Sequence, residues 1–439
     1  MASQRQYCLT LLFILITSLV SCCFSSYQDE PSVSNGFHIH EDSYNPNSET
    51  NDRILRRLAQ ANVPATSPEI VNVDDFGAKA DGTDDSQAFL QAWKQTCSSE
   101  SEAVLIIPKN KIYHLKPVTF SGPCKSGVTM KIYGTIKATV HRSDYAKDPR
   151  HWIIFDGVND FIVEGGGTIN GNGKIWWRNS CKVNKSLPCK DAPTAVTFYN
   201  CNNLRVASLR LKNSQKMHLS FQKCVNVKAL NLKVIAPGHS PNTDGIHVTE
   251  TKNIQIKDCV IRTGDDCISI VSGSKNVRAT GIICGPGHGI SIGSLGAGHS
   301  EAAVSNVVVD GARLTGTTNG VRIKTWQGGS GYAKSIIFQN IAMNNVSNPI
   351  IIDQYYCDQE EPCEEQASAV QISNVLYKNI KGTSASEVAI KFDCSKSSAC
   401  QGILLQDVVL GSHEKDETAK ASCLNVELKK RGSLRPRCS

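Results

Sequence analysis

Three carboxylates and one imidazole recur at intervals that bring them together if the chain winds in regular coils. Asp244 precedes Asp265 by 21 residues, and Asp266 precedes His288 by 22. Any one of these aspartates alone reads as a turn residue. As a set in register they repel, so one keeps a proton at mildly acidic pH. A shared proton lets one carboxyl act as acid and another as base, which is what cleavage of a glycosidic bond requires. His288 can tune the charge of the cluster or assist in moving that proton. Arg322 and Lys324, in NGVRIKTW, alternate with Ile323 and share one face of a strand, where they can bind an acidic sugar. Tyr356, in DQYYC, follows Arg322 by 34 residues and gains meaning only from that context.

The regular coils are visible as a repeat. A polar residue, often Asn, followed by alternating apolar residues appears as NNLRVASLRL at 202–211, VNVKALNLKV at 225–234, KNIQIKDCVI at 252–261 and KNVRATGII at 275–283. The marker asparagines 203, 226, 253, 276 and 306 are spaced by 23, 27, 23 and 30 residues. Short strands with no helix between them, too small to bury their own apolar face, must stack on neighbours. The fold expected is an all-β, right-handed parallel β-helix of roughly ten coils. Residues one coil apart then lie about 4.8 Å apart along the stack. A β-propeller would need a blade of about 40 residues with its own tryptophan signature, and neither is present. Before the repeat, residues 70–97 read as a strand, a Gly-rich turn and a helix. Asp84 or Asp85 can cap that helix, and Ala88, Phe89, Ala92 and Trp93 share one side. It is suited to cap the open end of the stack.

The remaining sequence sets the setting. Residues 1–26 read as a secretory signal: Arg5, an apolar run from Cys8 to Val20, then small residues at Ser21, Cys23 and Ser25. Residues 27–68 read as a polar linker or pro-segment, with one short helix possible over 54–61. Residues 69–439 form the expected catalytic domain. The chain of 439 residues carries a formal net charge of +7, and the part after residue 68 carries +9. A basic secreted protein without a dense Lys/Arg run meets acidic polysaccharide more naturally than nucleic acid. No second apolar stretch reaches membrane-spanning length, so no membrane partner is expected in the mature form.

Of 18 cysteines, 15 lie outside the signal, an odd number that leaves at least one thiol free. Secretion favours disulfides. Local spacing suggests Cys97–Cys124, Cys181–Cys189, Cys357–Cys363, Cys394–Cys400 and Cys423–Cys438, although spacing does not fix connectivity. No Cys or His pair has zinc spacing, and no dinucleotide, phosphate-loop or nucleophile-elbow motif is present, so no metal or cofactor is expected. His247 reads as structural and His218 as core or ladder packing. Asn184 and Asn345 sit in glycosylation sequons.

At these residues the chain resembles plant polygalacturonases. The resemblance rests on NTDG at 242–245, GDD at 264–266, GHG at 287–289 and RIK at 322–324, in that order, with VDDFGAKADGTDD at 73–85 similar to the start of the family's domain. It implies hydrolysis of α-1,4-galacturonosidic bonds in pectin, with inversion, by a secreted, extracellular enzyme of the cell wall that acts in wall loosening or cell separation. It implies Asp265 as general acid, Asp244 and Asp266 as the water-activating carboxylates, and His288 as the active-site histidine. It implies Asn242, Arg322, Lys324 and Tyr356 as substrate contacts, with Tyr355 as an alternative to Tyr356. Endo action on a monomeric enzyme is the expectation. Exo action, a calcium-dependent lyase on the same fold, and a non-catalytic pectin-binding protein are the rivals. Carboxylates one coil apart also sit uneasily with inversion, which usually needs about 6.5–9.5 Å between them.

Overall fold

The structure, a computed structural model, describes residues 67–357, 363–414 and 418–438. The expected signal, the short helix over 54–61 and all but the last two residues of the 27–68 linker lie outside the described residues.

The chain forms a right-handed parallel β-helix. Eleven strands stack in parallel as one sheet, from Val118–Ser121 to Lys420–Leu424, each contributed by a successive coil. The other faces of the coil belong to a 21-stranded parallel sheet. Eleven stacked strands compare with the roughly ten coils expected from the repeat.

The alternation in sequence explains the packing. Leu204, Val227, Ile254, Val277 and Val307 pair in register and face the interior. In the eleven-stranded sheet, Phe120, Phe155, Phe198 and Phe221 stack in successive coils with centroids 5.2, 4.9 and 5.5 Å apart. Val248, Ile270 and Ile292 continue that inner column. Aliphatic and aromatic side chains thus replace the core that no single coil can supply. The marker asparagines turn the chain. Asn203, Asn226, Asn253, Asn276 and Asn306 have φ between 55° and 59°, a left-handed conformation that Asn tolerates better than most residues.

The helix α1, Ser86–Cys97, caps the stack. It buries Ala88, Phe89, Ala92, Trp93 and Thr96, and Trp93 packs edge-on to Phe155 and Phe161. Asp85 is the N-cap by position but gives the helix no side-chain bond. Its carboxylate instead accepts from the backbone N–H of Lys79 and His114, and Asp84 accepts from the Ser86 N–H at 3.1 Å. A second short helix, α2 at Lys174–Arg178, buries Trp176 and Trp177. It was not legible in the sequence because five residues are too few for a helical period.

All five suggested disulfides are present. A sixth joins Cys267 to Cys284 across one coil, and Cys201, Cys224 and Cys259 remain as buried thiols. Asn184 and Asn345 are both exposed.

Candidate active site

The site is built on the outer side of the eleven-stranded sheet. Ser220, His247, Ser269, Ser291 and Arg322 pair in register across five coils. The residues two positions ahead of three of these strands' first paired residues are Asp244, Asp266 and His288, spaced by 22 each time. Backbone bonds from the Gly245 N–H to Asp266 O and from the Cys267 N–H to Gly289 O carry the stacking through them. Asp265 lies one residue off this column. Two glycines permit the close approach: a Cβ on Gly264 would lie 2.0 Å from Ser240 O, and one on Gly289, at φ 82°, would lie 2.0 Å from Asn319 O.

These groups open into a cleft of about 700 Å³ lined by all eight sequence-predicted residues: Asn242, Asp244, Asp265, Asp266, His288, Arg322, Lys324 and Tyr356. The three carboxyls have unequal surroundings. Asp266 is 1% exposed and accepts from Arg322 Nη2 at 2.9 Å, Ser291 Oγ at 2.7 Å and Lys324 Nζ at 3.1 Å. Arg322 Nε also donates to Ser291 Oγ at 3.0 Å, so the guanidinium is fixed at two points. The basic pair read as sugar-binding therefore also neutralises the most buried acid.

Asp244, 8% exposed, accepts one hydrogen bond at Oδ2, from Ser269 Oγ at 2.8 Å. Burial, with the nearby charges of Asp265 and Asp266, holds its pKa well above the usual carboxylate range, against the opposing Ser269 bond and Lys324 charge. Asp265 is half-buried. Burial would raise its pKa, but the His288 bond and charge, the Asp266 N–H and Lys324 together hold it below its ordinary value. His288 Nδ1 lies 3.1 Å from Asp265 Oδ1, and Asn242 Nδ2 donates to Asp265 Oδ2 at 3.4 Å. Like-charge crowding and burial thus favour the proton on Asp244, and the surroundings of Asp265 favour its ionised form beside His288.

Tyr356 is the tyrosine that lines the cleft. Its ring lies 5.1 Å from Lys324 Nζ and edge-on to Trp326 at 6.0 Å, whereas Tyr355 is absent from the cleft wall.

Several site residues escaped the sequence reading. His247 lines the cleft, with Nδ1 2.7 Å from Ser269 Oγ, so a chain of bonds runs His247–Ser269–Asp244. Burial pushes its pKa down to about 4, as it does for His218. His218 is fully buried, its Nδ1 3.1 Å from the Asp244 carbonyl, so it fixes that residue's backbone. Positions 247, 269 and 291 repeat the same interval of 22 as 244, 266 and 288, and that period was the available signal. Lys182, Lys216 and His239 also line the cleft, brought there by irregular turns that carry no period.

Asp265, Asp266 and His288 each offer a ligand atom within 4.8 Å of the others, the one such cluster among the described residues. A metal ion there would have to compete with Arg322 and Lys324, which already hold both oxygens of Asp266. The donor set suits fixed organic cations better than a metal.

Comparison with known proteins places this geometry. The profile of glycosyl hydrolases family 28 matches residues 97–433. The chain is 57% identical to polygalacturonase QRT2 of Arabidopsis thaliana over 98% of this chain and 99% of that protein. It is 51% identical to polygalacturonase-2 of Solanum lycopersicum over 100% of this chain and 97% of that one. Among solved structures, the polygalacturonase from Erwinia carotovora has the same fold, with a TM-score of 0.68 at 23% identity over 84% of this chain and 98% of that chain.

Proposed function

The chain belongs to family 28 of the glycosyl hydrolases and hydrolyses the galacturonosidic bonds of pectic polysaccharide; we propose that Asp265 is the general acid and that Asp244 and Asp266 activate the attacking water. The observation that carries this reading is the unequal treatment of three carboxyls in one cleft. Asp266 is fixed by two cations, Asp244 has a raised proton affinity, and Asp265 faces the cleft beside a histidine.

Asp265 gives its proton to the glycosidic oxygen as the bond from that oxygen to the anomeric carbon breaks. Water adds to the anomeric carbon from the opposite face, with inversion, and passes its proton to Asp244 while Asp266 holds it in position. The cycle ends with Asp244 protonated and Asp265 ionised, the direction in which burial and neighbouring charges bias the two groups. Asp244 then releases the proton it gained and Asp265 regains one, with His288 at 3.1 Å the adjacent carrier, which restores the starting distribution. Arg322, Lys324, Asn242 and Tyr356 hold the sugar and its carboxylate.

Endo action is the reading we favour over exo. Past Asn242 the cleft continues into a second cavity of about 310 Å³ lined by Trp176, Trp177, Arg142 and Lys190, which gives several sugar units room on one side of the cut. The test is product size on polygalacturonate. Oligomers appearing first support this reading, and monomer alone from the outset overturns it. An Asp265→Asn variant that depolymerises pectin at the original rate would overturn the mechanism. We further propose that residues 1–26 direct secretion to the cell wall and are removed, that 27–68 is a linker or pro-segment preceding the catalytic domain 69–439, and that the enzyme acts as a monomer in wall loosening or cell separation.

A further inference from the structure

The 21-stranded sheet, which does not carry the cleft, has an outer surface that folding alone does not explain. On successive coils Lys252 pairs in register with Lys275, and Lys228 and Arg278 flank Gln255 in the next column. All four cations are exposed. Arg205 continues the second column and is paired with Glu164 at 2.6 Å. Among the described residues, none of the other four forms an ion pair, although Lys223 and Lys257 in the same coils do. Like charges directly opposite on neighbouring strands are destabilising.

Between the two columns runs a ladder of amides. Asn226, Asn253, Asn276 and Asn306 each donate from Nδ2 to the Oδ1 of the asparagine one coil before, at 3.1, 3.1, 2.8 and 2.8 Å. Each amide in the middle of the ladder spends one N–H and one lone pair along the stack. One N–H and one lone pair remain for a ligand on the exposed side. In three successive coils a cation flanks the strip of free amide groups, Lys228 on one side, Lys252 on the other and Lys275 with Arg278 on both, which matches a linear polymer that carries a carboxylate and hydroxyls on every unit.

We infer that this strip is a second, non-catalytic binding site for polyuronate, which lies along the coil axis with its carboxylates on the cation columns and its hydroxyls on the amide ladder. The inference rests on the pectic substrate reading but not on the roles given to Asp244, Asp265 and Asp266. The strip holds the enzyme on a long polymer while the cleft, on the other sheet, engages a chain for cutting. Because the contact is made by counterion release, it weakens steeply with salt.

The test compares the full-length enzyme with a variant carrying Lys228→Gln, Lys252→Gln, Lys275→Gln and Arg278→Gln. On a galacturonate trimer, too short to reach the strip from the cleft, kcat and KM remain those of the original enzyme, which also reports an intact fold. On long polygalacturonate at low salt, KM rises several-fold with kcat unchanged, and the variant elutes from immobilised polygalacturonate at lower salt. Identical behaviour of the two proteins on long polymer overturns the strip. Equal losses on trimer and polymer also overturn it, since the effect then acts through the cleft or the fold. If the original enzyme cuts neither substrate, the pectic reading fails instead, and the two failures are distinct.

Discussion

His288 and Asp265 are joined at two levels: the His288 backbone N–H donates to the Asp265 carbonyl at 2.8 Å, and the His288 ring nitrogen Nδ1 lies 3.1 Å from the Asp265 carboxylate. The backbone bond comes from the stacking of neighbouring coils, so the imidazole is delivered to the carboxylate by the same ladder that builds the fold. The proton affinity of a group proposed as general acid is thereby lowered by the residue best placed to return its proton.

Replacing His288 with Asn removes the charge and the ring bond and leaves the backbone. Burial, the largest influence on Asp265, then acts with less opposition, and its pKa rises. An acid with a higher pKa keeps its proton to higher pH, so the alkaline limb of the kcat profile moves upward. Loss of the carrier lowers kcat by about 10²-fold or more, within the range for acid–base groups. KM changes little. A profile that falls in height without moving on the pH axis would show that His288 does not act on Asp265.

Asp244 carries a cost that its removal reveals. Its folded pKa is raised above the ordinary 3.8, so between that value and the raised one the folded state binds more protons than the unfolded chain. Stability from this group is therefore greatest below 3.8 and is lost as pH rises through the raised value. Asp244→Asn keeps the Ser269 bond and never ionises. The variant should melt higher than the original enzyme at neutral pH, with the advantage closing in acid below the ordinary carboxylate pKa, while activity is lost. Thermal melts across the acid range check the sign. A variant that melts lower at neutral pH would contradict the raised proton affinity.

Arg322 and Lys324 do structural work that a purely sugar-binding pair would not. With both changed to Met, Asp266 at 1% exposure keeps only the Ser291 hydroxyl as donor. Breaking a buried ion pair in this way costs about 3–5 kcal/mol. Adding Asp266→Asn removes the stranded charge and should restore most of the stability but none of the activity. Urea unfolding of the double and triple variants reads this directly. If the triple variant is no more stable than the double, the loss came from packing and not from charge.

The sequence made the fold and the main site legible for one physical reason. A solenoid converts an interval in sequence into a distance in space, so Asp244, Asp266 and His288 at steps of 22 had to stack. The same rule reaches Ser269 and Ser291, which carry no chemical flag of their own, and His247, which reads as structural from its strand setting alone. Cys267–Cys284, 17 residues apart, was not among the suggested pairs because spacing does not fix connectivity. The cleft walls at Lys216 and His239 come from turns of irregular length, where no period survives. The proton distribution was legible only in outline. Crowding predicted one shared proton, but the raised proton affinity of Asp244 depends first on burial and then on the charges of Asp265 and Asp266.

The stereochemistry of cleavage separates spacing from surroundings. Asp265 and Asp266 bring ligand oxygens within 4.8 Å of each other. By the general rule, about 5–5.5 Å marks retention and about 6.5–9.5 Å inversion, so distance alone favours retention. Retention requires a carboxylate with a free lone pair to attack the anomeric carbon. Asp266 already accepts three bonds, from Arg322, Ser291 and Lys324, and the two cations among these donors draw charge from it and weaken it as a nucleophile. A water molecule between Asp244 and Asp266 needs from ionised Asp244 only the acceptance of one proton, and the raised proton affinity of that group makes it the stronger base. The expected first product from the α-linked polymer is therefore the β-anomer, seen by proton NMR before mutarotation. No covalent sugar–enzyme adduct should appear by mass spectrometry when cleavage is slowed. An α-anomer formed first would make one of these carboxylates the nucleophile and overturn the assignment of Asp244 and Asp266 to water.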